Sequence, residues 1–307
     1  MISRSRSKGD DTRVFLSTAN TPLIARCWLV LTIAALKKYT NVFSTEVEVR
    51  MTEYSDILYE AGRGIARITI NRPEKYNAFH AQTCNELISA IGEAGWDRSI
   101  GVIVLTGAGD KAFCTGGDQS THEGGYGGRG IIGLPVEELH GIIRDVPKPV
   151  IARVNGFAIG GGNVLVTCCD LAIASQTAVF GQVGPKVGSV DPGFGTAYLA
   201  RVVGEKKARE IWFLCRRYTA QQALEMGMVN CVVPHAELDA EVERWSQEIL
   251  ALSPTALSIA KRSFNADSDS IRGIGGLGMQ ALSLFYDSPE SREGVAAFRE
   301  KRPPRFR

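Results

Sequence analysis

The stretch PKPVIARVNGFAIGGGN (147–163) decides the fold. Its first half contains Val150–Val154 (VIARV), which reads as a buried strand. Its second half is rich in small residues and leads into a helix expected over Gly160–Cys169. A helix N-terminus presents unpaired N–H groups and a partial positive charge, which suits an anion. Glycine there lets a ligand approach the backbone closely. An upstream stretch repeats the pattern. The run GVIVLT (101–106) reads as a buried strand, and FCTGGDQ (113–119) follows it. Two such loops side by side could aim two N–H groups at one oxygen, forming an oxyanion hole. Turns and tight helix–strand packing are the other use of the same glycines.

Outward from these loops the chain alternates strands and helices. Ile57–Ala61 and Ile65–Ile70 read as strands joined by a Gly62–Gly64 turn. Thr83–Trp96 reads as an amphipathic helix capped by Thr83. A glycine-rich loop spans 107–133, and a helix follows over Pro135–Arg144. Leu171–Ala174 and Val229–Val233 read as strands. Thr196–Val203, Lys206–Cys215 and Ala220–Gly227 read as helices. Asp239–Arg299 is helical in pattern, with breaks expected at Pro254 and around Gly273–Gly278. The pattern argues an α/β core with a helical C-terminal region. No P-loop or dinucleotide fingerprint occurs, so nucleotide hydrolysis and nicotinamide chemistry lack a supporting motif.

The chain has 307 residues and a net charge of 35 − 33 = +2. Residues 1–50 hold eight basic and four acidic residues, net +4, which leaves 27 − 29 = −2 for residues 51–307. That balance excludes a strongly basic nucleic-acid binder. The head carries an apolar patch, Cys27–Leu36, too short to span a bilayer. The sequence following it is a poor match to a signal-peptide cleavage site. Residues 1–50 are expected to be an extension ahead of a second start at Met51, with a targeting or interaction arm as the other reading. The seven cysteines lack a C-x-x-C pair and the four histidines are scattered. Buried reduced thiols, a cytoplasmic location and no metal site are expected.

NRPEKYNAF (71–79), AFCTGGD (112–118), PKPVIARVNGFAIGGG (147–162) and CDLAIAS (169–175) together resemble the crotonase, or enoyl-CoA hydratase/isomerase, superfamily. The resemblance implies an α/β spiral of repeated ββα units over residues 51–307, with a helical trimerisation region at about 239–307. It implies a homo-oligomer, trimer or hexamer, that takes an acyl-CoA substrate and neither nucleic acid nor membrane. The thioester oxygen would be held by the N–H groups of Gly117 and Gly161. Arg72, Lys75, Asn77 and Ala78 fall in the segment that lines the CoA site. For Arg72 and Lys75, a phosphate contact and a solvated surface charge fit equally.

The two glutamates of the hydratases are replaced by Val164 and Gly184, which disfavours simple water addition. FGQVGPKVGSVDPGFG (180–195), with Asp118, Gln119, Gln182 and Trp212, resembles the branch containing 2-ketocyclohexanecarboxyl-CoA hydrolase and 1,4-dihydroxy-2-naphthoyl-CoA synthase. Val183, Val190 and Pro192 favour the ring-opening hydrolase over the ring-closing synthase. The resemblance then implies a reverse Dieckmann reaction. Asp191, with Ser189, would activate water. Tyr286, expected from a neighbouring subunit, would protonate carbon or hold the ketone. Tyr126 would help close the site. No cofactor is expected, and bicarbonate enters only if the synthase reading holds. A non-catalytic binding protein of the same fold is the further alternative. Taken alone, Asp191 also suits a helix cap or an Asx-turn, Tyr286 a core aromatic, Asp118 a loop anchor and His122 a loop residue.

Overall fold

The computed structural model describes residues 50–52, 54–122 and 125–307. Contacts divide the chain into Met1–Val47 and Glu48–Arg307, and the second unit is the one described. The extension expected over 1–50 lies outside the described residues, apart from Arg50. That residue opens strand β1, Arg50–Thr52.

The chain winds between two sheets. The larger contains β1, β2 (Ile57–Gly62), β3 (Ile65–Ile70), β4 (Val102–Gly107), β6 (Val150–Val154), β8 (Leu171–Ser175) and β11 (Cys231–Val233), in that order. From β3 onward its neighbours are parallel. The smaller runs β10 (Tyr218–Thr219), β9 (Val179–Gly181), β7 (Phe157–Ile159) and β5 (Ala112–Cys114). Each long strand β4, β6 and β8 hands the chain to a short partner in the second sheet. In the first two cases a helix follows: α2 (Val136–Asp145) after β5, and α3 (Gly161–Cys168) after β7. This is the expected ββα repeat.

Alternation along β4 explains its wholly apolar text. Ile103 and Leu105 face the main core with Leu87 and Ile91 of α1 (Ala81–Trp96). Val102 and Val104 face the opposite side, against Leu238 and Val242 of α7 (Leu238–Leu250). Both faces of the strand are dry, so both must be apolar.

Several sequence expectations need correction. Helix α1 starts at Ala81, not Thr83. His80 caps it by accepting the Gln82 N–H at 3.1 Å, and Thr83 returns the bond to the His80 N–H at 3.3 Å. Short strands β5, β7 and β9 hide in loops because three residues give no readable periodicity. The expected helix from Thr196 begins as a π-type turn over Phe194–Tyr198 and becomes α4 only at Leu199–Val203. It is followed by α5 (Glu205–Leu214) and α6 (Ala220–Glu225). In the tail, α8 (Pro254–Asp267) begins at Pro254 as expected. The break around Gly273–Gly278 does not occur, however. Helix α9 runs unbroken over Ser270–Tyr286 and is followed by α10 (Pro289–Arg299). One of the α9 glycines, Gly278, serves a close contact described below. Among the described residues no helix is long and apolar enough to cross a membrane.

Candidate active site

The two glycine loops meet where β5 ends and α3 begins. A Cβ on Gly116, whose φ is +86°, would stand 2.7 Å from the Gly161 nitrogen. One on Gly161 would stand 2.6 Å from the Phe79 ring. Only glycine permits this approach. The backbone bonds step around Gly117. Phe79 N–H donates to Gly116 O at 2.9 Å, and Asp118 N–H donates to Phe79 O at 2.8 Å. Gly161 is the first residue of α3, where N–H groups lack intrahelical partners. Neither Gly117 nor Gly161 N–H finds an acceptor among the described residues. Both residues line one cavity of about 1010 Å³. Two unpaired donors on a preorganised backbone are what an oxyanion requires.

The residues expected to handle protons line the same cavity. Ser189 Oγ and Tyr286 Oη are 2.9 Å apart. Asp191 Oδ1 accepts the Gly195 N–H at 3.1 Å, and Trp212 Nε1 donates to Gly195 O. One glycine thus links the indole to the carboxylate. Desolvation pushes the Asp191 carboxyl up to about 7; the Gly195 bond opposes this, and the charge of Glu137 adds to it. Part of Asp191 still faces the cavity. Burial pushes the Tyr286 phenol up to about 12, so it remains a proton donor. Burial likewise raises Tyr126.

Tyr286 reaches this site from its own chain, which corrects the expectation of a neighbouring subunit. Helix α9 packs on the 194–198 turn and carries the phenol, 2% exposed, onto Ser189. Tyr126 stands over Gly117: a Cβ there would lie 2.4 Å from its hydroxyl. Gln119 Nε2 donates to that hydroxyl at 3.1 Å. Lys75, Ala78, Asp118, Gln119, Gln182 and Trp212 line the cavity, and Gln182 donates to Asn163 Oδ1 at 3.3 Å.

Arg72, Asn77 and Asp118 have other partners. Arg72 donates to Ala78 O and pairs with Asp118 at 3.0 Å, so its charge is met within the protein rather than left for phosphate. Asn77 is fully buried. Its side chain accepts from Arg72 N–H and donates to Ala108 O and Ala112 O, so it holds the loop instead of touching the cavity. Asp118 also caps the 119–121 turn through Ser120. Burial raises its carboxyl, but the bonds from Ser120 and Arg72 prevail and hold it low.

One group escaped the sequence reading, and another was read only as a loop residue. The latter, His122, is buried. Its ring stands nearly perpendicular to those of Tyr126 and Tyr286, with centroids at 4.8 and 4.4 Å. Burial and the charge of Arg299 lower its pKa, and neither ring nitrogen has a hydrogen-bond partner among the described residues. Arg299 of α10 anchors this segment by donating to Gln119 O and His122 O. Glu137, half-buried on α2, has its carboxyl raised by burial. In the sequence it reads like its solvated neighbour Glu138, so no signal marked it.

Comparison with known proteins places the geometry. The family described as enoyl-CoA hydratase/isomerase matches residues 60–307. The chain is similar to an enoyl-CoA hydratase from Mycobacterium avium subsp. paratuberculosis K-10: 28% identity, TM-score 0.74, covering 83% of this chain and 100% of that one. It is similar to an enoyl-CoA hydratase/isomerase from Xanthobacter autotrophicus Py2, at 32% identity and TM-score 0.71, over 81% and 94% of the two chains. A carnitinyl-CoA hydratase from Mycobacterium avium is similar at 29% identity and TM-score 0.72, over 82% and 98%. Members of this crotonase group typically act on CoA thioesters, and the paired N–H groups of Gly117 and Gly161 fit that chemistry. The chain belongs to the enoyl-CoA hydratase/isomerase family.

Proposed function

We propose that the enzyme opens a cyclic β-keto acyl-CoA by hydrolysis, as a 2-ketocyclohexanecarboxyl-CoA hydrolase yielding pimeloyl-CoA. The observation that carries this reading is the desolvated Asp191 carboxyl beside the Ser189–Tyr286 pair, in one cavity with the two unpaired N–H groups. At the two hydratase glutamate positions stand Val164 and Gly184. A Cβ on Gly184 would lie 2.5 Å from Ser189 O, so no side chain fits there.

In the proposed reaction, ionised Asp191 takes a proton from water as the water oxygen bonds to the ring ketone carbon. Ser189 orders that water. The adduct collapses, and the bond from this carbon to the carbon alpha to the thioester breaks. Its electron pair becomes a thioester enolate whose oxygen is held by Gly117 and Gly161. The Tyr286 phenol protonates the alpha carbon and is reprotonated through Ser189 and Asp191. One water is consumed, and the product is an open-chain carboxylic acid carrying the CoA thioester. Tyr126 and Gln119 cover the hole. No cofactor is required, since coenzyme A belongs to the substrate. Lys75, Lys186 and Arg217 line the cavity and supply charge suited to CoA phosphates.

The reading extends to a cytoplasmic homo-oligomer. Exposed Phe264, Leu277 and Leu284 on α8 and α9 support assembly, because apolar surface of this kind favours burial against another copy. The test is incubation with 2-ketocyclohexanecarboxyl-CoA followed by product mass. A gain of one water is expected. Inert ring keto-CoA with ring closure of succinylbenzoyl-CoA, helped by bicarbonate, would replace this reading by the naphthoyl-CoA synthase.

A further inference from the structure

We infer that Gly278 is a positioning residue: its bare face on α9 seats the Pro192–Gly193 turn and thereby sets the place and the solvation of Asp191. This rests on the reading of Asp191 as the base.

Three close approaches carry the argument. A Cβ on Gly278 would lie 2.2 Å from Pro192 Cβ and 2.4 Å from its Cγ. A Cβ on Gly193, whose φ is +85°, would lie 2.7 Å from Gly275 Cα. A Cβ on Gly195 would lie 2.8 Å from Asp191 Cβ, and its N–H is the one that binds Asp191. The turn is therefore pressed between the helix on one side and its own carboxylate on the other. Gly275 and Gly278 lie three apart, on one face of the helix. Glycine inside a helix costs roughly 0.5–1 kcal/mol relative to alanine. Helix α9 runs unbroken through Gly273, Gly275, Gly276 and Gly278. The close seat gives a reason for bearing that cost at Gly278; a Cβ on Gly275 would meet only Pro192 O, at 4.0 Å.

The seat also governs charge. Asp191 is influenced by Glu137 from α2 and itself acts on Tyr286 of α9 and Cys168 of α3. With the turn pressed on α9, protein atoms replace water around the carboxyl. Lifting Pro192 admits water and favours the ionised form.

The test is Gly278→Ala, read in two ways. The first is titration of the 13C-labelled Asp191 carboxyl by NMR, assigned by its loss in Asp191→Asn. The midpoint is expected to fall by about one pH unit. The second is turnover of the ring keto-CoA. Here kcat should fall about tenfold, with KM within twofold, as for a displaced base. Pro192→Gly removes the two clashing atoms, so Gly278→Ala/Pro192→Gly should recover both the midpoint and kcat. An unchanged midpoint in Gly278→Ala, or a double variant no nearer to wild type than the single one, overturns the inference. A wild-type protein inert toward the ring keto-CoA overturns the function instead, and the titration still decides the seat.

Discussion

Ser189 and Tyr286 are 97 positions apart in sequence and 2.9 Å apart through their hydroxyls. The pair joins the loop that carries Asp191 to the far end of α9. It gives a buried phenol a route by which its proton can be replaced.

Tyr286→Phe breaks that route while leaving the ring's volume and its contact with His122. We expect kcat to fall by about 10²-fold or more, the usual scale for losing a positioned proton donor. KM should stay within a few-fold, since the lost hydroxyl sits away from the CoA arm. Steady-state kinetics on the ring keto-CoA check this. An unchanged kcat removes the phenol from the reaction.

The acid limb of kcat/KM should have a midpoint near pH 7, because Asp191 works ionised and its carboxyl is pushed up to about 7. Asp191→Asn should abolish turnover and the limb together, with CoA-ester binding retained in calorimetry. Stability follows with a definite sign. The folded state holds this proton more tightly than the unfolded one. The stabilisation is complete below about pH 4 and is lost as pH rises through 7. Asp191→Asn should therefore melt a few degrees above wild type at pH 8. A variant that melts lower there contradicts the desolvated carboxylate.

Gly116→Ala tests the junction of the two loops. The new methyl meets the Gly161 nitrogen in a backbone conformation that side chains rarely adopt. The two N–H groups should be forced apart, with kcat falling by about 10²–10³. Circular dichroism should confirm a folded protein. Full activity would mean that these donors do not hold the reacting oxygen.

Phe264 and Leu277 are 76% and 77% exposed, which identifies where assembly is to be tested. Phe264→Glu with Leu277→Glu should lower the mass measured by light scattering. Wild-type protein that is already monomeric would refute the expected oligomer.

The long strands and the glycine loops were legible because their signals are local. A mostly apolar run such as 102–107 or 150–154 states its own burial, and a cluster such as Gly160–Gly162 states its own close approach. The three-residue strands were not legible, since they exist only through pairing with one another. Glu137 was missed, and His122 was read only as a loop residue, for a related reason. Each has polar text and an environment made by distant segments: Tyr286 and Arg299 for the first, Asp191 for the second. The glycines of α9 were misread as a break, because the one that is needed, Gly278, answers to Pro192 in a turn some 80 residues earlier. The roles given to Arg72 and Asn77 shifted too. A motif says that a residue recurs, and only its partners say whether it faces the ligand or the frame.

Helix α9 brings Gly275, Gly278, Met279, Leu282 and Tyr286 to one side, at spacings of three and four residues. The Gly278 seat and the Tyr286 phenol thus lie on the same rigid rod as Met279 and Leu282, which line the cavity. Under the proposed ring opening, substrate preference can accordingly diverge by exchanging those two apolar side chains while Tyr286 and the seat of Asp191 keep their spacing. On that reading a lineage carrying this helix could sample new ring sizes without rebuilding its chemistry.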